Sequence, residues 1–101
     1  MRISRGDTLV PFEPQIMKSA TDPFKLNGYT VEVTMVDGNG EIKGGGLMTI
    51  DNAEAGQCHY DFEESEVAVP GTYALHTKYT KTATGQFAHL DPEPLIIEWA
   101  P

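Results

Sequence analysis

Apolar and polar residues alternate along three separate stretches of this chain, whereas the spacing typical of an amphipathic helix is nearly absent. The stretch 29–36 places four residues on one side of an extended backbone: Tyr29, Val31, Val33 and Met35. The stretches 56–62 and 72–80 repeat this pattern. Because successive side chains of a strand point to opposite faces, each stretch predicts a strand with one dry face. We expect the four tyrosines on these faces to point into a shared core: Tyr29, Tyr60, Tyr73 and Tyr79.

Weaker strand patterns and turn residues account for most of the remaining chain. The segment 9–17 contains Pro11 and Pro14, which cannot donate ladder hydrogen bonds, so it predicts an edge strand. Further short strands are expected at 24–26, at 47–50 after a run of three glycines, and at 95–99. Turns are expected at 37–40, 52–56 and 83–85, with one helical turn within 63–69. Short strands separated by turns predict an all-β fold, an immunoglobulin-like antiparallel β-sandwich of about seven strands.

Length and composition fit one small soluble domain. Residues 1–101 suffice for a single β-sandwich, which we expect to begin with an extended N-terminal arm of about residues 1–8. The net charge of −8 argues against nucleic acid and against membrane surfaces as partners. The single cysteine, Cys58, excludes an internal disulfide and favours folding in a cytosol. Neither a signal peptide nor a transmembrane segment is recognisable, so we expect a complete, soluble protein.

Residues suited to catalysis are present but are not arranged for it. Cys58 and His59 are adjacent, and neighbours on a strand project to opposite faces, so they cannot pair as nucleophile and base. We interpret Cys58 as a small core residue. The three histidines, His59, His76 and His89, lack the HxH or HxxxH spacing of common zinc sites. We therefore expect no enzyme activity, no catalytic or metal-binding residue and no cofactor.

Two acidic segments resemble cation-binding loops only in part. The segment DGNGE at 37–41 has oxygen ligands at the first, third and fifth places of a calcium loop but lacks the later glycine and glutamate, so a hairpin turn explains it better. The acidic run 61–66 is interpreted as a solvated loop, with a bound cation or a basic partner left open: its acids are Asp61, Glu63, Glu64 and Glu66. The RGD tripeptide at 5–7 is too short to indicate adhesion.

Several short segments, spread over nearly the whole chain, form a recognisable pattern. They are RGDT at 5–8, FKLNG at 24–28, YTVEV at 29–33, AGQCHYDF at 55–62, PGTYAL at 70–75 and LIIE at 95–98. Together they resemble the immunoglobulin-like N-terminal domain of phage baseplate upper proteins and similar small phage virion domains. The resemblance implies a virion building block, assembled into a tail tip or a capsid surface, without a cofactor and without enzyme activity.

The expected function is that of a phage or prophage virion structural protein that acts by protein–protein assembly. It would serve as a baseplate or tail adaptor, or as a capsid decoration or connector accessory, after synthesis in the host cytoplasm. Its expected partners are other virion proteins and further copies of itself. Assembly contacts are expected at the two ends of the chain: Arg2, Ile3, Arg5, Leu95, Ile97 and Trp99. The last stretch is apolar on both faces, so burial in the core and contact with another subunit both remain open.

Two other functions remain to be compared with assembly. A carbohydrate-binding or adhesin-like module would need two or more of the tyrosine rings exposed together on one surface. A small β-sandwich enzyme would need a buried cluster that joins a histidine to a carboxylate.

Overall fold

A computed structural model describes residues 1–99, which are almost entirely strand and turn. The elements, in chain order, are β1 (Arg2–Ser4), β2 (Tyr29–Val36), β3 (Ile42–Leu47), β4 (Thr49–Asn52), β5 (Gln57–His59), a 3-10 helix (Glu64–Val67), β6 (Gly71–Lys81), β7 (Phe87–His89) and β8 (Glu93–Glu98). The all-β prediction is confirmed. The predicted helical turn is also confirmed, since the 3-10 helix lies within 63–69.

The larger of two sheets contains six strands, in the order β1-β8-β6-β2-β3, and β7 pairs with the second half of β6. The long strands β2 and β6 form its antiparallel centre, with Glu32 opposite Lys78 and Met35 opposite Leu75. β1 pairs with β8 in parallel, so the sheet is mixed. The expected free N-terminal arm is therefore corrected: residues 2–4 form a strand of this sheet.

The second layer contains the two-stranded sheet of β4 and β5, with the proline-bearing segment beside it. Isolated bridges join Phe12 to Tyr60 and Gln15 to Gln57. Pro11 and Pro14 have no N–H to donate, so the edge strand predicted at 9–17 is reduced to isolated bridges beside β5.

The core lies between the two layers and follows the predicted alternation. In β2 the buried residues are Val31, Val33 and Met35, and in β6 they are Tyr73, Leu75 and Thr77. Cys58 is 1% exposed, which confirms it as a core residue. The prediction for the tyrosines holds fully only for Tyr73. The other three, Tyr29, Tyr60 and Tyr79, lie on the predicted faces but are half-buried, because they stand at the margins of the core.

The glycine run 44–46 corrects the predicted strand at 47–50. These glycines lie inside β3, and the chain then turns into the separate strand β4. Gly45 has a φ of +125°, and a Cβ there would clash with the carbonyl oxygen of Val33. A side chain is therefore excluded at this position, where β3 pairs closely with β2. The expected strand at 24–26 is absent from the described residues, and β7 is a strand that sequence analysis did not predict.

Hairpin β2–β3 turns through the DGNGE segment, as predicted. The Oδ1 atom of Asp37 accepts hydrogen bonds from the backbone N–H of Asn39 at 2.8 Å and of Glu41 at 3.0 Å. The bond from Glu41 is the largest cause that lowers the pKa of the Asp37 carboxyl. Gly40 follows with a φ of +83°. The acidic oxygens of this segment therefore close the turn.

Candidate functional site

The six residues expected at an assembly interface divide into two groups. Ile3, Leu95 and Ile97 are 5%, 0% and 2% exposed, because they point from β1 and β8 into the chain's own core. This is a correction: three of the six side chains present no surface to a partner in the folded chain. In the final strand, Leu95 and Ile97 are therefore core residues and not subunit contacts.

The other three residues of that set lie at the surface. Arg2 donates a hydrogen bond to Glu98 on the neighbouring strand. The guanidinium of Arg5 stands 4.8 Å from the ring centroid of Trp99, whose side chain is 72% exposed. The structure thus brings one arginine and the tryptophan together at one end of the large sheet.

A second and broader surface is the outer face of the large sheet, which turns away from the core. At its centre, Glu32 of β2 and Lys78 of β6 are directly opposite each other, with 3.8 Å between Oε1 and Nζ. Threonines flank this pair on both strands, and Thr30 lies opposite Thr80. The predicted outward direction of Thr30, Glu32 and Thr34 is confirmed. The result is a surface of threonines and one histidine, His76, around one ion pair.

Large apolar side chains stand at the margins of this outer face. Leu47, opposite Glu32 on β3, is 73% exposed, and Ile42, opposite Val36, is 72% exposed. On the other side, Phe87 of β7 is 59% exposed. The ammonium of Lys78 lies 4.3 Å from the Phe87 ring centroid. These exposed apolar groups flank a charge-balanced centre, which makes this face the candidate binding surface of the chain.

Charge is distributed unevenly over the molecule. The outer face of the large sheet carries the ion pairs Glu32–Lys78 and Arg2–Glu98, and the two charges of each pair cancel. The chain as a whole has a net charge of −8. The excess acids therefore lie elsewhere, in the loops and on the small sheet, where Asp51 and Asp61 flank His59. The face with the exposed apolar groups is the electrically neutral one.

His59 is held between two carboxylates on the outer side of β5. Its Nδ1 lies 2.8 Å from Asp51 Oδ1, and its Nε2 lies 3.4 Å from Asp61 Oδ2. The hydrogen bond with Asp51 is the largest cause that raises the pKa of His59. His76 lies on the other sheet, so the two histidines do not meet. Within residues 1–99, no three His, Cys, Asp or Glu side chains converge in a way that would hold a metal ion.

The acidic run 61–66 is not a uniformly solvated loop, because Glu66 has a structural role. Its carboxylate accepts hydrogen bonds from the Tyr60 hydroxyl at 2.7 Å, from the Gly45 N–H at 2.7 Å and from the Glu63 N–H at 2.8 Å. Burial, and then the bond with Glu66, raise the pKa of the Tyr60 hydroxyl. Glu66 thereby covers an outward N–H of β3, while Glu64 is exposed.

Cys58 has none of the properties of a catalytic thiol. Burial is the main cause that raises its pKa to about 11, so the thiol is protonated at neutral pH. Its Sγ lies 3.7 Å from the carbonyl oxygen of Pro14. As predicted, His59 is on the opposite face of the same strand.

A small aromatic hollow of about 200 Å³ opens at the end of the core beside β7. The ring of Phe24 lies 5.2 Å from that of Tyr29 and 5.1 Å from that of Tyr79, measured between centroids. Ala88 lies opposite Tyr79, and its small side chain leaves the space that a larger residue would fill. Gln86 and other residues of the β6–β7 turn complete the lining.

The chain matches no protein-family model and no curated protein. No helix within residues 1–99 has both the length and the apolar character needed to cross a bilayer. The outer face as a whole could not be predicted from the sequence, because Leu47, Ile42 and Phe87 reach it only through strand pairings between distant segments. The alternation of Thr30, Glu32 and Thr34 was its one local signal.

Proposed function

We propose that this chain is a non-enzymatic binding module that acts through protein–protein contacts, as a structural component of a phage particle. The resemblance of its sequence to small phage virion domains supports the phage context. The surface of the molecule supports the mode of action. The observation that carries the proposal is the outer face of the large sheet, which combines a neutral charge with exposed Leu47, Ile42 and Phe87.

We propose further that the sandwich is of the immunoglobulin-like type. Two features support this. The hydroxyl of Tyr73, near the start of β6, donates a hydrogen bond of 2.8 Å to the carbonyl oxygen of Val69, four residues earlier. This is the arrangement of the tyrosine corner in immunoglobulin-like domains. The first strand also pairs in parallel with the last, beside the strand that bears this tyrosine.

Mass spectrometry of purified phage particles tests the particle assignment. Particles from an induced culture of the source strain would be purified on a density gradient and their proteins quantified against the major capsid protein. We expect this chain in a fixed ratio to the capsid protein in every preparation. Its absence from particles, when it is present in the lysate, would contradict the proposal.

Sugar binding is a second candidate function, favoured by the aromatic hollow. Tyr29 and Tyr79 are both half-buried and line that hollow together with Phe24, which supplies the shared, partly exposed rings that such a site needs. A glycan array followed by calorimetric titration of any hit would test it. Tyr79→Ala should abolish binding, whereas Tyr73→Phe, in the core, should leave it intact. An array without hits would exclude this candidate.

A further inference from the structure

We propose that the outer face of the large sheet binds the same face of a second copy, about a two-fold axis that runs parallel to the strands between β2 and β6. This inference rests on the proposed function, since it names one partner in the assembly. It follows from the register of the sheet and from the charges on it.

The register makes the two central strands complementary to each other under this symmetry. Rotation about an axis parallel to the strands leaves the height of each residue, its position along the strand direction, unchanged. The rotation places β6 of one copy over β2 of the other. Lys78 and Glu32 are at the same height, because they are directly opposite. Lys78 of one copy therefore faces Glu32 of the second copy, and the reverse contact forms at the same time. One ion pair within the chain thus becomes a four-charge cluster across the interface.

The rest of the two central strands fits this arrangement equally well. Thr80 is opposite Thr30, and His76 is opposite Thr34, so the same rotation places threonine on threonine and histidine on threonine. The threonine side chains are short and uncharged. No like charges are placed together along the axis, and the two faces can approach closely.

The outer strands bring the exposed apolar residues together. β7 lies beyond β6 and β3 lies beyond β2, so the rotation places β7 of one copy on β3 of the other. His89 is opposite Lys78 and Leu47 is opposite Glu32, so these four residues are at the same height along the strands. His89 of one copy therefore faces Leu47 of the other. Phe87 is two residues away on the same face as His89. Each Phe87 therefore meets Leu47 of the second copy diagonally, once on each side of the axis.

The area of the face sets the expected strength of the contact. Four rows of the sheet overlap under this rotation: β3, β2, β6 and the row that β7 and β8 share. At a spacing of about 4.8 Å and a length of about eight residues, these rows make a face of roughly 19 by 26 Å. Two such faces bury on the order of 1,000 Å² in total, which is the range of weak, transient interfaces. The acids elsewhere on each copy repel only weakly across the interface, because charges more than about 8 Å apart are screened at physiological salt. We expect a reversible dimer with a Kd on the order of 1–100 µM.

Sedimentation equilibrium of the full chain and a charge-swap series tests this pairing. Lys78→Glu makes both central charges acidic, and Glu32→Lys makes both basic, so each single variant should dimerise at least about tenfold more weakly than the wild type. The chain with both substitutions should recover the wild-type Kd. An equimolar mixture of the two single variants should form a one-to-one heterodimer. Lys25→Glu is the matched control, because Lys25 pairs with Glu54 outside this face, and its Kd should be unchanged.

The results separate this inference from the proposed function. A wild-type chain that stays monomeric up to about 1 mM, or single swaps that leave the Kd unchanged, would overturn the pairing. Circular dichroism of each variant confirms that it is folded. If particles contain the chain while these outcomes occur, the structural role stands and the pairing fails. If the swap series behaves as expected but particles lack the chain, the pairing stands and the phage role fails.

Discussion

The hydroxyl of Tyr60 donates a 2.7 Å hydrogen bond to the carboxylate of Glu66, six residues later. The same carboxylate accepts the N–H of Gly45 from β3, the strand at one end of the large sheet. An unpaired edge strand invites pairing with another chain. Tyr60 and Glu66 therefore reduce uncontrolled pairing at this edge while the broad face of the same sheet stays open.

Removing Glu66 should weaken the fold and expose the β3 edge. Glu66→Ala leaves three donors without their acceptor, and we expect a loss of about 2 kcal/mol in the free energy of unfolding. Urea denaturation measures this loss, and light scattering at rising concentration measures edge pairing. Glu64→Ala is the control, since Glu64 is an exposed neighbour, and it should change stability by less than about 0.5 kcal/mol. Equal stability of the two variants would contradict the role of Glu66.

The hydrogen bond from the Tyr73 hydroxyl to the Val69 carbonyl oxygen should contribute to the stability of the fold. Tyr73→Phe keeps the buried ring but removes the hydroxyl that donates to Val69, and we expect a loss of about 1–2 kcal/mol. Tyr79→Phe provides the comparison, because Tyr79 is half-buried at the margin of the core. Chemical denaturation of both variants measures the difference. A Tyr73→Phe chain as stable as the wild type would show that the Tyr73–Val69 hydrogen bond contributes nothing to the free energy of unfolding.

Gly45 should tolerate no side chain, in contrast to Gly38 in the hairpin turn. Gly45→Ala forces a Cβ against the Val33 carbonyl at a φ of +125°, so we expect a loss of about 2 kcal/mol or more. A Cβ at Gly38 meets nothing within 4 Å, so Gly38→Ala should be nearly neutral. Thermal unfolding of both variants gives the comparison. Equal melting temperatures would contradict the close approach of β3 to β2 at Gly45.

Stability should depend on pH through His59. Asp51 raises the pKa of His59 in the folded state, so the stabilisation is fully present below the unfolded-state pKa of about 6.5. It is lost as pH rises through the folded-state pKa. Asp51→Asn should therefore destabilise the chain more at pH 5.5 than at pH 8.5. NMR titration of the His59 ring should show a lower pKa in this variant.

Glu54→Gln removes a nearby carboxylate that pairs with Lys25, and it serves as the control for the pH experiment. Its unfolding free energy should differ from that of the wild type by the same amount at both pH values. If Asp51→Asn behaved in the same way as this control, the interaction of Asp51 with His59 would contribute nothing to stability.

The parts of the fold that could be predicted from sequence are those that local alternation defines. Val31, Val33, Leu75 and Thr77 are buried as their positions in the pattern require, because a strand's two-residue period is a property of its own segment. The turn at 37–41 was predictable for the same reason, since its closing hydrogen bonds join residues at most four apart.

The parts that could not be predicted depend on contacts between distant segments. The parallel pairing of β1 with β8 joins the two ends of the chain, so no local pattern indicates it. The sequence therefore predicted an extended arm where the structure has a strand. The strand predicted at 47–50 begins after the run 44–46, whereas these glycines lie inside β3, where the pairing with β2 leaves no room for a Cβ at Gly45. The neighbours of Glu32 on the outer face, Lys78 and Leu47, come from two other strands. Strand register, which no local pattern specifies, therefore creates the candidate surface.

The central claim is that the outer face of the large sheet binds the same face of a second copy of the chain. A concentration series of amide NMR spectra tests it most directly, because it locates the contact residue by residue in the unmodified protein. The account predicts progressive shifts at Thr30, Glu32, Lys78 and Thr80, with the amides of the small sheet unchanged. Shifts confined to the Arg5 and Trp99 end of the sheet, or no shifts at any concentration, would contradict it.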